Sequence, residues 1–186
     1  MTFTEISSQQ IFDRFNRESA ELARTAIADI PTLDFLSKYL EKNNITRILE
    51  FGGGMGTISY FIMLKKPEVH IDIYEDKSKF RDILQTNLSE FYNKYNIIPS
   101  YNLLPPNTDY DFAVIDGGNH SSIVENTERI FSRLYNLKAV YVEGSRRYQQ
   151  SYLCNALRKT YAFRFEKIES IFINGRKHYG GMVYYL

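Results

Sequence analysis

The sequence predicts an α/β fold: a doubly wound, mostly parallel sheet of seven strands, with a helical cap before it and an antiparallel hairpin at its end. Three observations predict this class. Short apolar segments alternate with helical patterns from residue 45 onward, which is typical of parallel sheets. Four glycines directly follow the first apolar segment. The pair Asn174-Gly175 separates two strand-like segments near the C-terminus, as in a hairpin turn.

The segment before the first strand is predicted to be helical. An apolar stripe begins at Ile11, and Pro31 precedes leucines that recur with helical spacing. The length of 186 residues suits one domain with its own core. We therefore expect a single domain over residues 1–186, with a helical cap at 1–44 and the sheet-containing core at 45–186.

The core is predicted to alternate strands and helices in chain order. Phe112–Ile115 is a continuous apolar run, as expected of a strand buried on both faces of a parallel sheet. The predicted strands are 45–51, 70–74, 97–104, 112–115, 139–142, 163–173 and 179–186. The predicted helices are 57–66, 78–95, one that begins at the capping box of Ser122, and 146–161.

The composition narrows the classes of partner. The net charge of +1 gives no reason to expect nucleic acid or a charged membrane surface. The single cysteine, Cys154, cannot form an internal disulfide, which fits a reducing compartment. The sequence shows neither an apolar run as long as a membrane span nor a secretory signal. We expect a cytoplasmic protein with no membrane partner, and the sequence leaves its oligomeric state open.

The glycine turn is the first candidate ligand site. Gly52, Gly53, Gly54 and Gly56 lie within five residues, directly after the first predicted strand. Glycine permits positive φ angles and a close approach by a ligand. The helix that follows would direct free N–H groups and its positive dipole end at that ligand. An ordinary tight turn between a strand and a helix is the alternative.

Four acidic residues stand where predicted strands end. Ligands of doubly wound sheets bind beyond the carboxyl ends of the strands, so these side chains are candidate site residues. For each of them the alternative is a solvated loop position. The four are Glu50, Glu75, Asp116 and Glu143.

The spacing of the glycines distinguishes between cofactors. A nicotinamide-binding turn reads G-x-G-x-x-G, but Thr57 occupies the sixth position counted from Gly52. The spacing present is Glu50-x-Gly52-x-Gly54-x-Gly56. It resembles motif I of the class I S-adenosylmethionine-dependent methyltransferases, (D/E)-x-G-x-G-x-G.

The resemblance extends from about residue 45 to the C-terminus and implies a Rossmann-like sheet. Glu75, 25 residues after Glu50, matches the family's acid at the end of the second strand. Residues 110–120 are similar to the "DxxxIDGxH" segment of small O-methyltransferase-like members. The closing hairpin at 163–186 resembles the family's sixth and seventh strands.

The resemblance implies cofactor roles. The glycines would leave room beside the methionine part and the ribose, and Glu75 would accept hydrogen bonds from the ribose hydroxyls. Glu50 would order the turn or reach the ligand's ammonium group through water, and Asp116 would face the sulfonium or the acceptor. The implied cofactor-binding residues are Glu50, Gly52, Gly53, Gly54, Gly56, Glu75 and Asp116.

The catalytic candidates are His120 and Asp116. A hydroxyl acceptor must lose its proton to a general base or a metal, and His120 follows the fourth predicted strand. Its alternative role is to precede and cap the next helix. Some relatives bind Mg²⁺ at this edge, where Asp116 and Glu143 could supply oxygen ligands. One ligand of the family's set is missing, so we assign no metal residues and leave Mg²⁺ as a weakly supported alternative.

Arg146 and Arg147 follow the fifth predicted strand. Arginine binds carboxylate and phosphate groups well, so an anionic small-molecule acceptor is one interpretation. A solvated helix start is the other.

Three functions follow from this sequence. The first is an S-adenosylmethionine-dependent methyltransferase acting on a small molecule, with an oxygen acceptor favoured. The second is a binding or scaffold protein that keeps the fold without methyl transfer. The third, a nicotinamide-dependent Rossmann oxidoreductase, is disfavoured by Thr57 and by the terminal hairpin.

Overall fold

The computed structural model describes most of the chain. Its helices are α1 (Ser8–Glu18), α2 (Ile30–Lys42), α3 (Thr57–Lys65), α4 (Ser78–Asn87) and α5 (Arg147–Arg158). Its strands are β1 (Arg47–Phe51), β2 (His70–Tyr74), β3 (Tyr95–Ile98), β4 (Phe112–Ile115), β5 (Ala139–Glu143), β6 (Arg164–Ile168), β7 (Ile171–Ile173), β8 (Arg176–His178) and β9 (Gly181–Tyr185). The described residues are 6–23, 27–100, 103, 109–117, 137–144, 147–159 and 161–186.

Seven of these strands form one sheet in the order β3-β2-β1-β4-β5-β9-β6. Strand β9 runs antiparallel to both of its neighbours, and the other strands are parallel to one another. The order changes direction between β1 and β4, where a doubly wound sheet opens a crevice for ligands. The predicted fold class, including its N-terminal helices, is confirmed.

The two central strands β4 and β5 are buried at every position. One face of the sheet packs against α1 to α4 in a core that includes Phe15 and Leu36. The opposite face packs against α5 through Leu153 and Leu157. Burial on both faces explains why the sequence of these strands reads as unbroken apolar runs.

The closing hairpin differs from its prediction. Strands β6 and β9 do pair, but the Asn174-Gly175 turn does not join them. That turn joins β7 to β8, which form a separate two-stranded sheet inserted between β6 and β9. Asn174 and Gly175 both have positive φ angles, 49° and 77°, as a two-residue hairpin turn requires.

Two further boundaries were wrong. Helix α4 ends at Asn87 rather than near residue 95, and β3 spans Tyr95–Ile98 rather than 97–104. Asn93 has a φ of 71°, which breaks the helical path and turns the chain into β3 early. Pro99 has no N–H group to continue the sheet pairing. The helix predicted from Ser122 lies outside the described residues, and the division into one domain with a cap stays a prediction.

The N-terminal helices are attached to the carboxyl edge of the sheet through buried polar groups. Thr32 Oγ1 in α2 lies 2.8 Å from the hydroxyl of Tyr141 in β5. Asp29, buried just before α2, lies 3.1 Å from Nδ1 of His178 and accepts a hydrogen bond of 2.9 Å from the Tyr179 N–H. These contacts fix the start of α2 against β5 and β8.

We expect Asp29→Ala to lower the free energy of unfolding by about 1–3 kcal/mol, because buried His178 and the partly buried Tyr179 N–H lose their acceptor. Asp34→Ala, on the same helix, is the control and should change stability by less than about 0.5 kcal/mol. Urea denaturation of the three proteins measures both effects. Equal losses for Asp29→Ala and Asp34→Ala would contradict this assignment.

Candidate functional site

The glycine turn connects β1 to α3 beside the end of β2. Gly52, Gly54 and Gly56 have φ angles of 85°, 51° and 87°, in the region that residues with a Cβ atom avoid. The N–H groups of Gly52 and Gly53 donate to the Tyr74 carbonyl at 2.9 and 3.2 Å. The turn is therefore fixed to the carboxyl end of β2.

Each glycine of the turn serves a different steric need. A Cβ atom at Gly53 would collide with the Ile73 side chain, and one at Gly56 would lie 2.8 Å from Leu84 Cδ1. These two glycines permit packing against β2 and α4. A Cβ atom at Gly54 would meet no described atom within 4 Å, so this side of the turn faces open space. Of the four glycines predicted to contact a cofactor, Gly54 has the geometry that best suits direct contact.

Gly52 packs against the backbone at the end of β4. A Cβ atom at Gly117 would lie 2.7 Å from Gly52 Cα, so both positions require glycine. The N–H groups of Asp116 and Gly117 donate to the Phe51 carbonyl at 2.9 and 3.0 Å. The sequence indicated a candidate site in this segment but gave Gly117 no role. Its position directly after Asp116, the acid at the end of the strand, was the signal that could have identified it.

Glu75 supports the open side of the turn. Its Oε2 accepts a hydrogen bond of 2.9 Å from the Gly54 N–H, and its Oε1 accepts one of 3.0 Å from the Lys77 N–H. Each carboxylate oxygen has a second lone pair, which leaves both oxygens able to accept from a vicinal diol. Burial raises the pKa of Glu75, although the N–H groups of Lys77 and Gly54 oppose the shift.

Glu50 lies beneath the turn. Its side chain points towards α3 and is 1% exposed, and its Oε2 accepts a short hydrogen bond from the Ser59 hydroxyl. Burial raises the pKa of Glu50 to about 8, with a smaller contribution from Glu75 and an opposing one from Ser59. Of the two roles expected from the sequence, this position favours ordering the turn, and a role in cofactor binding stays a prediction.

Asp116 and Glu143 end the neighbouring strands β4 and β5, as predicted. Asp116 is partly exposed, whereas Glu143 is 7% exposed and lies on the face of the sheet that α2 covers. Within the described ranges, no three histidine, cysteine or acidic residues are grouped so that they could hold a metal ion. The described residues therefore lend no support to Mg²⁺ as a cofactor.

Several predicted residues lie outside what the structure describes. His120 and Arg146 are among them. Arg147 begins α5, but its side chain is not described. The roles of a base and of an anion-binding pair stay predictions. Among the described residues, no helix is long and apolar enough to cross a membrane.

The buried Glu50 predicts a pH dependence of stability. Its pKa in the folded protein is about 8, against an ordinary value of 4.5. Between these values the folded state keeps a proton that the unfolded state releases, so stability falls as pH rises. Relative to Glu50→Gln, the free energy of unfolding of the wild-type protein should fall by about 1 kcal/mol for each pH unit between these two pKa values.

Chemical denaturation at about pH 5, 6, 7 and 8 measures this difference. Glu41→Gln, which changes an exposed glutamate on α2, is the matched control and should follow the wild-type protein. Parallel pH profiles for the wild type and Glu50→Gln would show that the buried carboxyl is not the titrating group.

Known structures share the fold of this chain. An S-adenosylmethionine-dependent O-methyltransferase from Thermotoga maritima superposes with a TM-score of 0.71 at 17% sequence identity, covering 94% of this chain and 69% of that one. The O-methyltransferase TomG from Streptomyces achromogenes, solved with S-adenosylmethionine, gives 0.67 at 16% identity, covering 100% and 92%. Precorrin-6y C5,15-methyltransferase from Geobacter metallireducens gives 0.64 at 15% identity, covering 87% and 90%.

The sequence itself matches no family model and no curated protein. The structural neighbours nevertheless share the parallel sheet, and the strand order observed here places its glycine turn at the switch between β1 and β4. The resemblance indicated by the glycine spacing is confirmed, and the chain has the fold of the class I S-adenosylmethionine-dependent methyltransferases.

Proposed function

We propose that the protein is an S-adenosylmethionine-dependent methyltransferase that acts on a small molecule, with oxygen as the favoured acceptor atom. Two of the neighbours reported above are O-methyltransferases and one is a C-methyltransferase. These neighbours support methyl transfer. The preference for oxygen is also supported by the similarity of residues 110–120 to the corresponding segment of small O-methyltransferases.

One observation carries the proposal: the Glu75 carboxylate is bonded to the Gly54 N–H at the open side of the turn. The buried Glu75 carboxylate at the end of β2 therefore lies beside the Gly54 backbone, which a ligand can approach closely. The two hydroxyls of a ribose could donate hydrogen bonds to the remaining lone pairs of the Glu75 carboxylate. The methionine part would then lie along the turn towards Asp116, which ends β4.

Methyl transfer is an in-line displacement in which positioning supplies much of the rate. S-adenosylmethionine would supply the electrophilic methyl group. The chain would hold the donor through Glu75 and the glycine turn, and it would hold the acceptor at the ends of β4 and β5. Asp116 would orient the acceptor or face the donor's positive charge, and His120 would take the proton from an acceptor hydroxyl.

Titration calorimetry with S-adenosylhomocysteine and with NAD tests the cofactor. Binding of S-adenosylhomocysteine alone supports the proposal and removes the nicotinamide alternative. No binding of S-adenosylhomocysteine to protein shown to be folded by circular dichroism would refute it.

We expect Glu75→Gln to weaken S-adenosylhomocysteine binding by about 10- to 100-fold, because hydrogen bonds to a charged group contribute about 1.5–3 kcal/mol. Asp82→Asn, the matched control, changes an exposed acid on α4 and should leave the affinity within about twofold. Calorimetry on the three proteins measures the effect. Unchanged affinity in Glu75→Gln would refute the ribose assignment.

A turnover assay distinguishes a methyltransferase from a scaffold protein that binds the cofactor without methyl transfer. Wild-type protein that binds the cofactor is incubated with a panel of phenol, alcohol and amine acceptors, and S-adenosylhomocysteine is quantified. Asp116→Asn should lower kcat by at least about tenfold if Asp116 orients the acceptor. A cofactor-binding protein with no turnover on any acceptor would favour the scaffold.

A further inference from the structure

Strand β6 forms an exposed edge of the seven-stranded sheet. It lies at one end of the strand order, and among the described residues only β9 pairs with it. Residues 164–167 of this strand are exposed, whereas the strand at the other edge, β3, has one exposed residue. An exposed edge presents unpaired N–H and C=O groups, on which a strand of another chain can pair.

The bonds between β5 and β9 show which backbone groups of β9 are used on that side. The Gly144 N–H donates to the Gly180 carbonyl at 2.8 Å, and the Leu186 N–H donates to the Lys138 carbonyl at 2.9 Å. Backbone groups alternate in direction along an antiparallel strand. The even-numbered residues of β9 therefore bond to β5, and its odd-numbered residues bond to β6.

The same alternation identifies the backbone groups at the free edge of β6. Val183 of β9 lies opposite Glu166 in the pairing of these two strands, so the backbone of Glu166 bonds to β9. The backbone groups of its neighbours, Phe165 and Lys167, therefore point away from β9. Each of these two residues presents an N–H and a C=O group that no strand in the described part of the chain pairs with.

Phe165 is the most prominent apolar side chain of this edge. It is 63% exposed, and its ring centroid lies 6.4 Å from that of Tyr184. Phe163, two residues earlier and partly exposed, lies on the same side of the strand, with its ring centroid 5.7 Å from Tyr184. The free edge thus combines unpaired backbone groups with exposed aromatic surface, which is more stable when it is removed from water.

The opposite side of β6 carries one charge of each sign. The Arg164 guanidinium lies over the Tyr185 ring at 4.0 Å, and Oε2 of Glu166 accepts a hydrogen bond of 3.0 Å from the Tyr185 hydroxyl. Neither charged group forms an ion pair with another described residue. Tyr185 therefore positions both charges on the strand, where a second chain can reach them.

These features favour one register for two copies of β6 that pair about a two-fold axis. With the axis at Phe165, the two Phe165 backbones would exchange N–H···O bonds, and their rings would form a cross-strand aromatic pair. Arg164 of each chain would then lie opposite the partner's Glu166, in a pair of stabilising contacts. Lys167 is of a type that protects edge strands from pairing, but in this register it faces the partner's Phe163 and no other cation.

Other registers are less favourable. The edge-facing backbone groups of the two strands align only when one residue lies opposite its own copy. An axis at Arg164, Glu166 or Lys167 would therefore place two like charges directly opposite each other, which destabilises the pair. An axis at Ile168, the last residue of β6, would leave most of the strand unpaired.

We propose that the protein forms a homodimer through β6, with Phe165 at the two-fold axis and reciprocal ion pairs between Arg164 and the partner's Glu166. The two seven-stranded sheets would form one continuous sheet across the dimer. The glycine turn follows β1, four strands from β6 in the strand order, or about 19 Å. Each chain would therefore keep its own cofactor site, and the dimer does not depend on the proposed function.

Sedimentation velocity without cofactor, between about 1 and 500 µM protein, tests the dimer. One strand pair buries less than a standard interface, so we expect a dissociation constant on the order of 10 µM. The wild-type protein should shift from monomer to dimer across this range. A wild-type protein that stays monomeric at the highest concentration would overturn the inference.

Charge reversal tests the register. R164E and E166R should each weaken the dimer by at least about tenfold, because two attractive cross-strand pairs become two repulsive ones. An equimolar mixture of the two variants should restore the dimer, since the charges of each chain then oppose those of its partner. Lys79→Glu, which reverses an exposed charge on α4, is the matched control and should dimerise like the wild type.

Circular dichroism confirms that each variant is folded before it is compared. Wild-type affinity in R164E or E166R would show that the contact lies elsewhere. A mixture that dimerises no better than either variant alone would overturn the register and the proposal with it.

Amide hydrogen exchange locates the paired edge directly. At a concentration where the wild type is dimeric, the N–H groups of Phe165 and Lys167 should exchange about fivefold more slowly than in R164E. The Glu166 N–H bonds to β9 in monomer and dimer alike, so its exchange should differ little between the two proteins. Protection confined to another surface, or equal exchange at Phe165 and Lys167, would contradict pairing through β6.

Discussion

The approach of two backbones, Gly52 after β1 and Gly117 after β4, is the constraint on which the rest of the site depends. Each glycine leaves no room for a Cβ atom on the other, and the Phe51 carbonyl accepts hydrogen bonds from both residues that follow β4. The ends of the two strands are thereby held together at the point where the strand order changes. The glycine turn must then bend away from β4, towards β2 and α3.

That bend places two glutamates in opposite environments. Glu50 points into the core beneath the turn, where burial favours its protonated form and Ser59 supplies a hydrogen bond. Glu75 lies above the turn, where two backbone N–H groups offset part of the cost of burial. The Glu50 carboxyl group joins β1 to α3, and the Glu75 carboxyl group holds the Gly54 N–H at the open side of the turn. The same residue type therefore contacts a buried helix in one position and the backbone of the glycine turn in the other.

Local sequence predicted the features that depend on local chemistry. Glycine density located the turn, and the unbroken apolar run of β4 identified a strand buried on both faces. The pairing of β6 with β9 was predicted, but not the small sheet between them. A signal such as Asn174-Gly175 specifies a turn type and not the strands that it joins. The role of Gly117 was also missed, because it arises from a contact between residues 65 positions apart.

The aromatic packing beneath α2 could not be predicted from the sequence for the same reason. Tyr39 of α2 contacts Phe112 of β4 and Tyr185 of β9, and these three residues meet only in the fold. Their contacts depend on the anchoring of α2 through Asp29 and Thr32. Because that anchoring joins α2 to β5 and β8, a few buried polar contacts between distant parts of the chain set the position of the whole helix.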